Sequence, residues 1–497
     1  MHPLAKLDRQ FVWHPFTQMR DWLKREPVVI VAGKGAVLRD AHGREYLDAN
    51  SSIWTNLHGH NHPRINSAIQ RQLKKVAHSS ALGLANEPAS RLAEKLVRAA
   101  NSHSAFRIPQ LNKVFFSDDG STALEVALKL AYEFTRRTRP ASRRRGEPPI
   151  LSLEGAYHGD TVGAVSLGHI DLFHKSYSGL LFKTDKVMSP YCYRCPFNRA
   201  KPERTDAREY RQCNWECVSL VEKMFASQKS KGNPYAAFVF EPLIQGASGM
   251  IPQPPGWLRR VTEIARCHGA LLIADEVMTG FGRCGVESRE PRAEDRATRQ
   301  HPPSTLDPRP STLFACHHEG VQPDFLCLAK GLTGGYLPMA ATLTTQKVFD
   351  AFLGEYREFK TFFHGHSYTA NQLGAAAALA SLEILQSEPS VRARQNLEQT
   401  LHDELQALWS LPNVGDIRQV GLIAGIELVR DWRTREPIDL CERAGIRVCE
   451  AMVRRGVLTR PVGNVIVLMP PYCTTQVQMR KMVHAVFDSI REVFVKL

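Results

Sequence analysis

Asp324-Phe325-Leu326-Cys327-Leu328-Ala329-Lys330-Gly331-Leu332-Thr333-Gly334-Gly335 decides the fold: an apolar run ends on a lysine and breaks into a glycine-rich turn. Upstream, Ala270-Leu271-Leu272-Ile273-Ala274 ends on Asp275 and opens Glu276-Val277-Met278-Thr279-Gly280-Phe281-Gly282-Arg283. Unbroken apolar runs bounded by turn residues predict strands buried on both faces. Val114-Phe115-Phe116, Pro149-Ile150-Leu151-Ser152-Leu153 and Ala237-Phe238-Val239-Phe240 read the same way. Ser121 to Phe134 and Trp257 to Cys267 carry apolar residues at helical spacing. Strand and helix alternating from about residue 65 predict an α/β fold with a large, mostly parallel sheet.

The ends of the chain differ from its middle. Val28-Val29-Ile30-Val31 and Ala36-Val37-Leu38-Arg39-Asp40 flank Gly33-Lys34-Gly35, so residues 1–64 read as an N-terminal arm with short strands. Residues 65–374 form the large unit, and 375–497 a smaller α+β unit completed by the arm. Its elements include helical runs Leu379 to Leu385 and Val391 to Trp409, and strand-like Leu422 to Leu428 and Val465 to Leu468. Two segments interrupt the large unit. Residues 184–217 hold a cysteine-bearing insertion. Residues 286–312, rich in Pro, Arg, Glu and Ser, cannot bury apolar surface and predict a flexible excursion that leaves the site alone.

With 497 residues and 43% hydrophobic content, the chain can bury a substantial core. The net charge of +14 is partly local: Arg136, Arg137, Arg139, Arg143, Arg144 and Arg145 crowd between Thr135 and Glu147. Pro140 and Gly146 in that run predict a solvated loop, and no nucleic-acid partner is expected. Met1 to Asp8 lacks the apolar core of a signal peptide, and no run is long enough to span a membrane. A cytoplasmic protein with reduced thiols is expected. Four of the 11 cysteines cluster: Cys192 and Cys195 have zinc-knuckle spacing, and Cys213 and Cys217 follow. Nothing in the chemistry below needs a metal, so they read as free thiols, with a structural metal as the alternative.

A lysine and an aspartate at the ends of two buried strands match the needs of pyridoxal phosphate. The amine holds the aldehyde covalently, and the carboxylate keeps the pyridinium protonated. Phe116-Ser117-Asp118-Asp119-Gly120-Ser121-Thr122 supplies the third element, a strand running into a helix start whose free N–H groups suit a phosphate.

The order of Gly120-Ser121, Tyr157-His158-Gly159-Asp160-Thr161, Asp275 to Arg283 and Lys330-Gly331 resembles the class III (omega-type) aminotransferases of PLP fold type I, the aspartate aminotransferase-like fold. Within them it is similar to the branch acting on 8-amino-7-oxononanoate in biotin biosynthesis. The narrower likeness rests on Trp13-His14-Pro15-Phe16-Thr17-Gln18-Met19, Ser51-Ser52-Ile53-Trp54, Phe363-His364-Gly365-His366-Ser367-Tyr368-Thr369, Leu458-Thr459-Arg460-Pro461 and Leu468-Met469-Pro470-Pro471-Tyr472.

The resemblance implies roles. Lys330 holds the cofactor and shuttles the proton, Asp275 pairs with the pyridinium, and Tyr157 and Val277 cover the two ring faces. Gly120 and Ser121 bind the phosphate, and His366 and Ser367 reach it from the second subunit of a homodimer. Arg460 grips the substrate carboxylate, while Trp54 and Gly365 line the substrate side. Arg283 reads equally as a substrate contact or a structural bridge. The implied donor is S-adenosylmethionine, yet Phe16 and His366-Ser367 depart from the commoner pattern towards a branch that uses lysine. The alternatives are an ornithine, 4-aminobutyrate or β-alanine aminotransferase and a mutase or decarboxylase of the same fold. The least favoured is a binding protein reusing it.

Overall fold

A computed structural model describes residues 1–102, 110–139, 146–285 and 312–495. The central sheet is built from seven strands: β1 Leu111–Ser117, β2 Ile150–Leu153, β3 Asp185–Val187, β4 Ala237–Phe240, β5 Leu271–Asp275, β6 Phe325–Leu328 and β7 Ala340–Thr345. Their spatial order is β1-β7-β6-β5-β4-β2-β3. All pairings from β6 to β3 are parallel, and β7 alone runs against its neighbours.

The period-two alternation of these strands explains why they are apolar throughout. Phe238, Phe240, Leu272, Ala274, Leu326 and Leu328 enter one core with Trp257, Leu258 and Val261 of helix Trp257–Cys267. The intervening Ala237, Val239, Ile273, Phe325 and Cys327 enter a second core with Ala123, Leu124, Ala127, Leu130, Ala131 and Phe134. Those partners lie on helix α1, Gly120–Thr138. Both faces are thus covered by helices, and each large apolar side chain contributes about 1.5–3 kcal/mol.

The two chain ends meet in a second sheet. Ile30–Lys34, Val37–Asp40 and Glu45–Asp48 form a meander, and Val457–Leu458 joins parallel to Glu45–Asp48 through Leu47↔Val457. A third, antiparallel sheet holds Val414–Val420, Ile423–Leu428, Val465–Leu468 and Pro461–Val462. Among the described residues no helix is long and apolar enough to cross a membrane.

Several sequence expectations shift. The proposed insertion at 184 begins with β3, whose polar Asp185 and Lys186 hid a short edge strand paired to β2. The arginine run is not all loop: α1 continues to Thr138, where Arg137 pairs with Glu133 at 2.9 Å and bonds the carbonyls of Ala351 and Lys360. Residues 140–145 lie outside the described residues, as do 286–311. On either side of the latter segment, Gly282 N–H donates to the Leu313 carbonyl at 3.0 Å. Helix Gln372–Leu385 runs across the boundary expected at 375.

Candidate active site

Parallel register sets Asp275 beside Cys327, so Asp275 and the Lys330 turn leave the same edge of the sheet. Ligands of open α/β sheets bind at that carboxyl edge. Lys330 starts a short 3-10 turn with φ 44°, a left-handed conformation uncommon for a lysine and often found at functional sites. Burial lowers its amine below the usual lysine range, Asp275 and Glu241 push it back up, and Arg283 lowers it further.

Asp275 is fixed through both oxygens. Val277 N–H donates to Oδ1 at 3.0 Å, and the His158 ring bonds Oδ2 through Nδ1 at 2.8 Å, both side chains being almost fully buried. Behind them lies a carboxyl that the sequence reading missed. Glu241 accepts from the N–H groups of Tyr157 (3.3 Å) and Gly246 (2.8 Å). Burial pushes it up to about 7, with His158 lowering it and Asp275 raising it. Its signal was available, since Glu241 ends the run Ala237–Phe240 as Asp275 ends its own.

The helix start forms the other end of the site. Asp119 accepts from Thr122 N–H and Thr122 Oγ1 accepts from Asp119 N–H, both at 2.9 Å, a reciprocal cap. Helical geometry leaves the N–H groups of Gly120 and Ser121 without intrahelical partners, at the positive end of the dipole. A Cβ on Gly120 would lie 2.7 Å from Val277 Cγ1, so glycine is what lets this turn close on the strand end after Asp275. Ser121 Oγ accepts from Asp160 N–H at 3.2 Å. Gly159, at φ 121°, lets that loop pass close to Ser121. Tyr157, the partly buried ring of the same loop, donates its hydroxyl to Asp160 Oδ2 at 2.7 Å. Burial and that carboxylate raise its phenol.

Aromatic side chains wall the other side. Lys330 Nζ stands 4.7 Å from the centre of the Trp54 ring. Trp54 is delivered by Ser51, Ser52, Ile53 and Trp54, all at positive φ (46–67°) and none of them glycine. Such backbone costs about 1–3 kcal/mol per residue and persists where the surroundings hold it. Here Ser51 Oγ donates to the Met469 carbonyl at 2.6 Å, and Asp48 accepts from Ser52 N–H and Oγ–H at 3.0 and 2.9 Å. Phe16 packs edge-on against Phe173 with centroids 5.3 Å apart, and Phe173 approaches Tyr157. Phe173 is a second wall residue the sequence reading missed, in a four-residue helix with no periodicity to flag it.

Arg460 is exposed and donates to the Phe16 carbonyl at 3.1 Å, which brings the N-terminal arm and the C-terminal segment together at the mouth. Arg283 is structural: buried, it donates to the carbonyls of Pro470 (2.7 Å) and Asn56 (3.1 Å). His366 stands 3.1 Å from Asp118 of its own chain, close to the Gly120 turn, and the Ser367 carbonyl contacts His78 at 2.8 Å. Gly365 is exposed and nothing lies within 4 Å of where its Cβ would be, so a single chain does not place it against Trp54 or Lys330.

A lysine and a held carboxylate at neighbouring strand ends, a phosphate-ready helix start and an aromatic ring suit a planar phosphorylated pyridine. Comparison with known proteins agrees. The family model "Aminotransferase class-III" matches residues 19–287 and 309–490. The adenosylmethionine-8-amino-7-oxononanoate aminotransferase of Geobacter sulfurreducens is 45% identical over 490 residues, covering 99% of this chain and 98% of its own. The crystal structure of the enzyme of that name from Methanocaldococcus jannaschii superposes with a TM-score of 0.83 at 37% identity, with 98% of each chain covered. A thermostable (S)-enantioselective omega-transaminase from Thermomicrobium roseum gives the same TM-score at 28% identity, over 99% of this chain and 98% of its own. The chain therefore belongs to the class-III aminotransferases, a pyridoxal-phosphate-dependent family.

Proposed function

We propose that this chain aminates the ketone of 8-amino-7-oxononanoate to give 7,8-diaminononanoate in biotin biosynthesis, with S-adenosylmethionine as donor. The observation that carries this reading is the mouth built by Arg460 and Phe16. One exposed guanidinium stands at the end of an aromatic wall of Phe16, Phe173 and Tyr157. An acceptor with one terminal carboxylate on an alkyl chain satisfies both, since guanidinium pairs bidentately with carboxylate and the rings cover the methylenes.

Pyridoxal phosphate, when bound, supplies the aldehyde that takes up the amino group and the ring that accepts electrons. Gly120 and Ser121 would hold its phosphate, Asp275 its ring nitrogen, and Tyr157 and Val277 its faces. His158 and the Val277 N–H keep Asp275 oriented within the buried strand ends. Lys330 Nζ, its amine biased towards the neutral form by burial, takes the proton from the amino-bearing carbon of the donor and returns one to the acceptor carbon. Trp54 covers that amine from the substrate side.

A homodimer completes this reading. Leu82, Leu84, Phe363 and Tyr368 are 92%, 62%, 74% and 62% exposed. They flank His366 and Ser367, and the Tyr368 ring packs 4.9 Å from His78, so the two segments form one apolar patch for a second copy. Residues 1–64 and 375–497 make the smaller unit, and the shared sheet of Glu45–Asp48 and Val457–Leu458 supports that pairing. A cytoplasmic setting fits its eleven free cysteines.

The test is a set of single turnovers. The cofactor-loaded protein is offered S-adenosylmethionine, lysine, ornithine or 4-aminobutyrate, then 8-amino-7-oxononanoate. Formation of 7,8-diaminononanoate from the adenosylmethionine-treated protein is the expected result. Formation only after lysine reassigns the donor. Turnover of ornithine or 4-aminobutyrate with no 7,8-diaminononanoate overturns the reading.

A further inference from the structure

Cys192, Cys195, Cys213 and Cys217 come from two separate stretches of chain, yet all four line one cavity of about 10 Å³, closed by Pro190 and Trp215. Cys192 begins the 3-10 turn Cys192–Arg194, which Cys195 follows. Cys217 lies in the first turn of helix Glu216–Ser230, and Cys213 stands just before it.

We propose that these four cysteines form a structural zinc site. The cavity volume matches about one water-sized sphere, the scale of a single ion. Four thiolates with no carboxylate or imidazole suit a tetrahedral, redox-inert, thiophilic divalent cation. Binding exchanges four S–H bonds for four Zn–S bonds and releases four protons to solvent. The resulting centre carries two negative charges, and two guanidiniums are at hand. Arg211 Nη1 donates to Cys213 Sγ at 3.1 Å, and Arg211 and Arg260 lie 4.0 and 4.8 Å from the Trp215 ring centre.

Among the described residues no three His, Cys, Asp or Glu side chains already stand in ligating positions. Ligation therefore turns the cysteine χ1 angles inward, on a short turn and a helix start. The segment has a reason to need such a tie. Its own core is small, with Cys192, Tyr193 and Ala207 as its buried members. It still has to present Tyr191 and Arg194 to the buried Arg418–Glu427 pair, where Arg194 Nη2 meets Glu427 Oε1 at 2.7 Å and Arg418 Nη2 meets Oε2 at 2.6 Å. A closed four-cysteine site would fix the turn to the helix independently of substrate or cofactor.

The full-length protein, purified reduced from zinc-supplemented medium, is expected to carry about one zinc per chain by elemental analysis. Titration of its thiols with a mercurial should release that zinc to a colorimetric chelator. Cys192→Ser/Cys195→Ser should lose the zinc while keeping pyridoxal phosphate, and Cys267→Ser, at an exposed cysteine away from the cavity, should keep both. Should the double variant fail to fold, metal content and mercurial release in the unaltered protein decide the matter. Zinc below about a tenth of an equivalent, iron in its place, or disulfides among the four cysteines in the purified protein overturns the proposal.

Discussion

Gly120→Ala tests the helix start most sharply. The added methyl carbon would lie 2.7 Å from Val277 Cγ1 and 3.1 Å from Cγ2, inside contact distance of the side chain proposed to cover one face of the cofactor. Relief requires the helix start or Val277 to move, and such overpacking costs about 1–3 kcal/mol. At about 1.4 kcal/mol per factor of ten, pyridoxal phosphate binding should weaken by about fivefold to a hundredfold. A thermal melt is a poor readout, because replacing glycine by alanine also stabilises by about 0.4–1 kcal/mol through the unfolded chain. The assay is therefore equilibrium titration of the apoenzyme with the cofactor, followed by absorbance. Val277→Ala supplies the control: it removes both Cγ atoms and leaves Val277 Cβ at 3.5 Å, an ordinary contact. In that background Gly120→Ala should cost almost nothing, a coupling of about 1 kcal/mol or more. Unchanged affinity in the single variant, or an undiminished loss in the double, would refute the account of why glycine stands there.

His158→Ala should leave Lys330 carrying the cofactor but lower kcat/KM by about ten- to a hundredfold, since a hydrogen bond to a charged group contributes about 1.5–3 kcal/mol; near-normal turnover would mean the Val277 N–H alone orients Asp275. Arg460→Ala should raise KM for 8-amino-7-oxononanoate about tenfold to a hundredfold with cofactor affinity intact, and loss of the cofactor instead would contradict its placement. Glu276 accepts from the N–H groups of Ala315 and Cys316, and burial pushes it up to about 7 from an ordinary 4.5. Because the folded pKa is the higher one, its contribution is complete below the unfolded value and is lost as pH rises towards about 7. The Tm of Glu276→Gln relative to the unaltered protein should therefore climb across that window, and a flat difference would mean Glu276 titrates normally in the fold.

The sequence revealed most where local pattern and burial coincide. Parallel strands covered on both faces must be apolar throughout, so the ends of Leu271–Asp275 and Phe325–Leu328 announce their polar residues. The Gly120 turn was legible for a similar reason, being a helix start with its own cap. Features created by long-range contact were not. Ser51 to Trp54 contain no glycine to mark a left-handed backbone, and what holds them there is Asp48 and the Met469 carbonyl. Arg283 could be read two ways until its carbonyl partners on Pro470 and Asn56 were in view. The gathering of Cys192, Cys195, Cys213 and Cys217 about one cavity depends on how Cys192–Arg194 packs beside Glu216–Ser230. Spacing alone left it undecided.

The central claim is that Lys330 is the amine that carries the cofactor, opposite Asp275. Borohydride reduction of the yellow holoenzyme, followed by proteolysis and mass spectrometry, reads this directly. The account predicts a single phosphopyridoxyl group on the peptide containing Lys330, and none when Lys330→Ala is treated in the same way. Label on another lysine, or undiminished labelling of the variant, would contradict it.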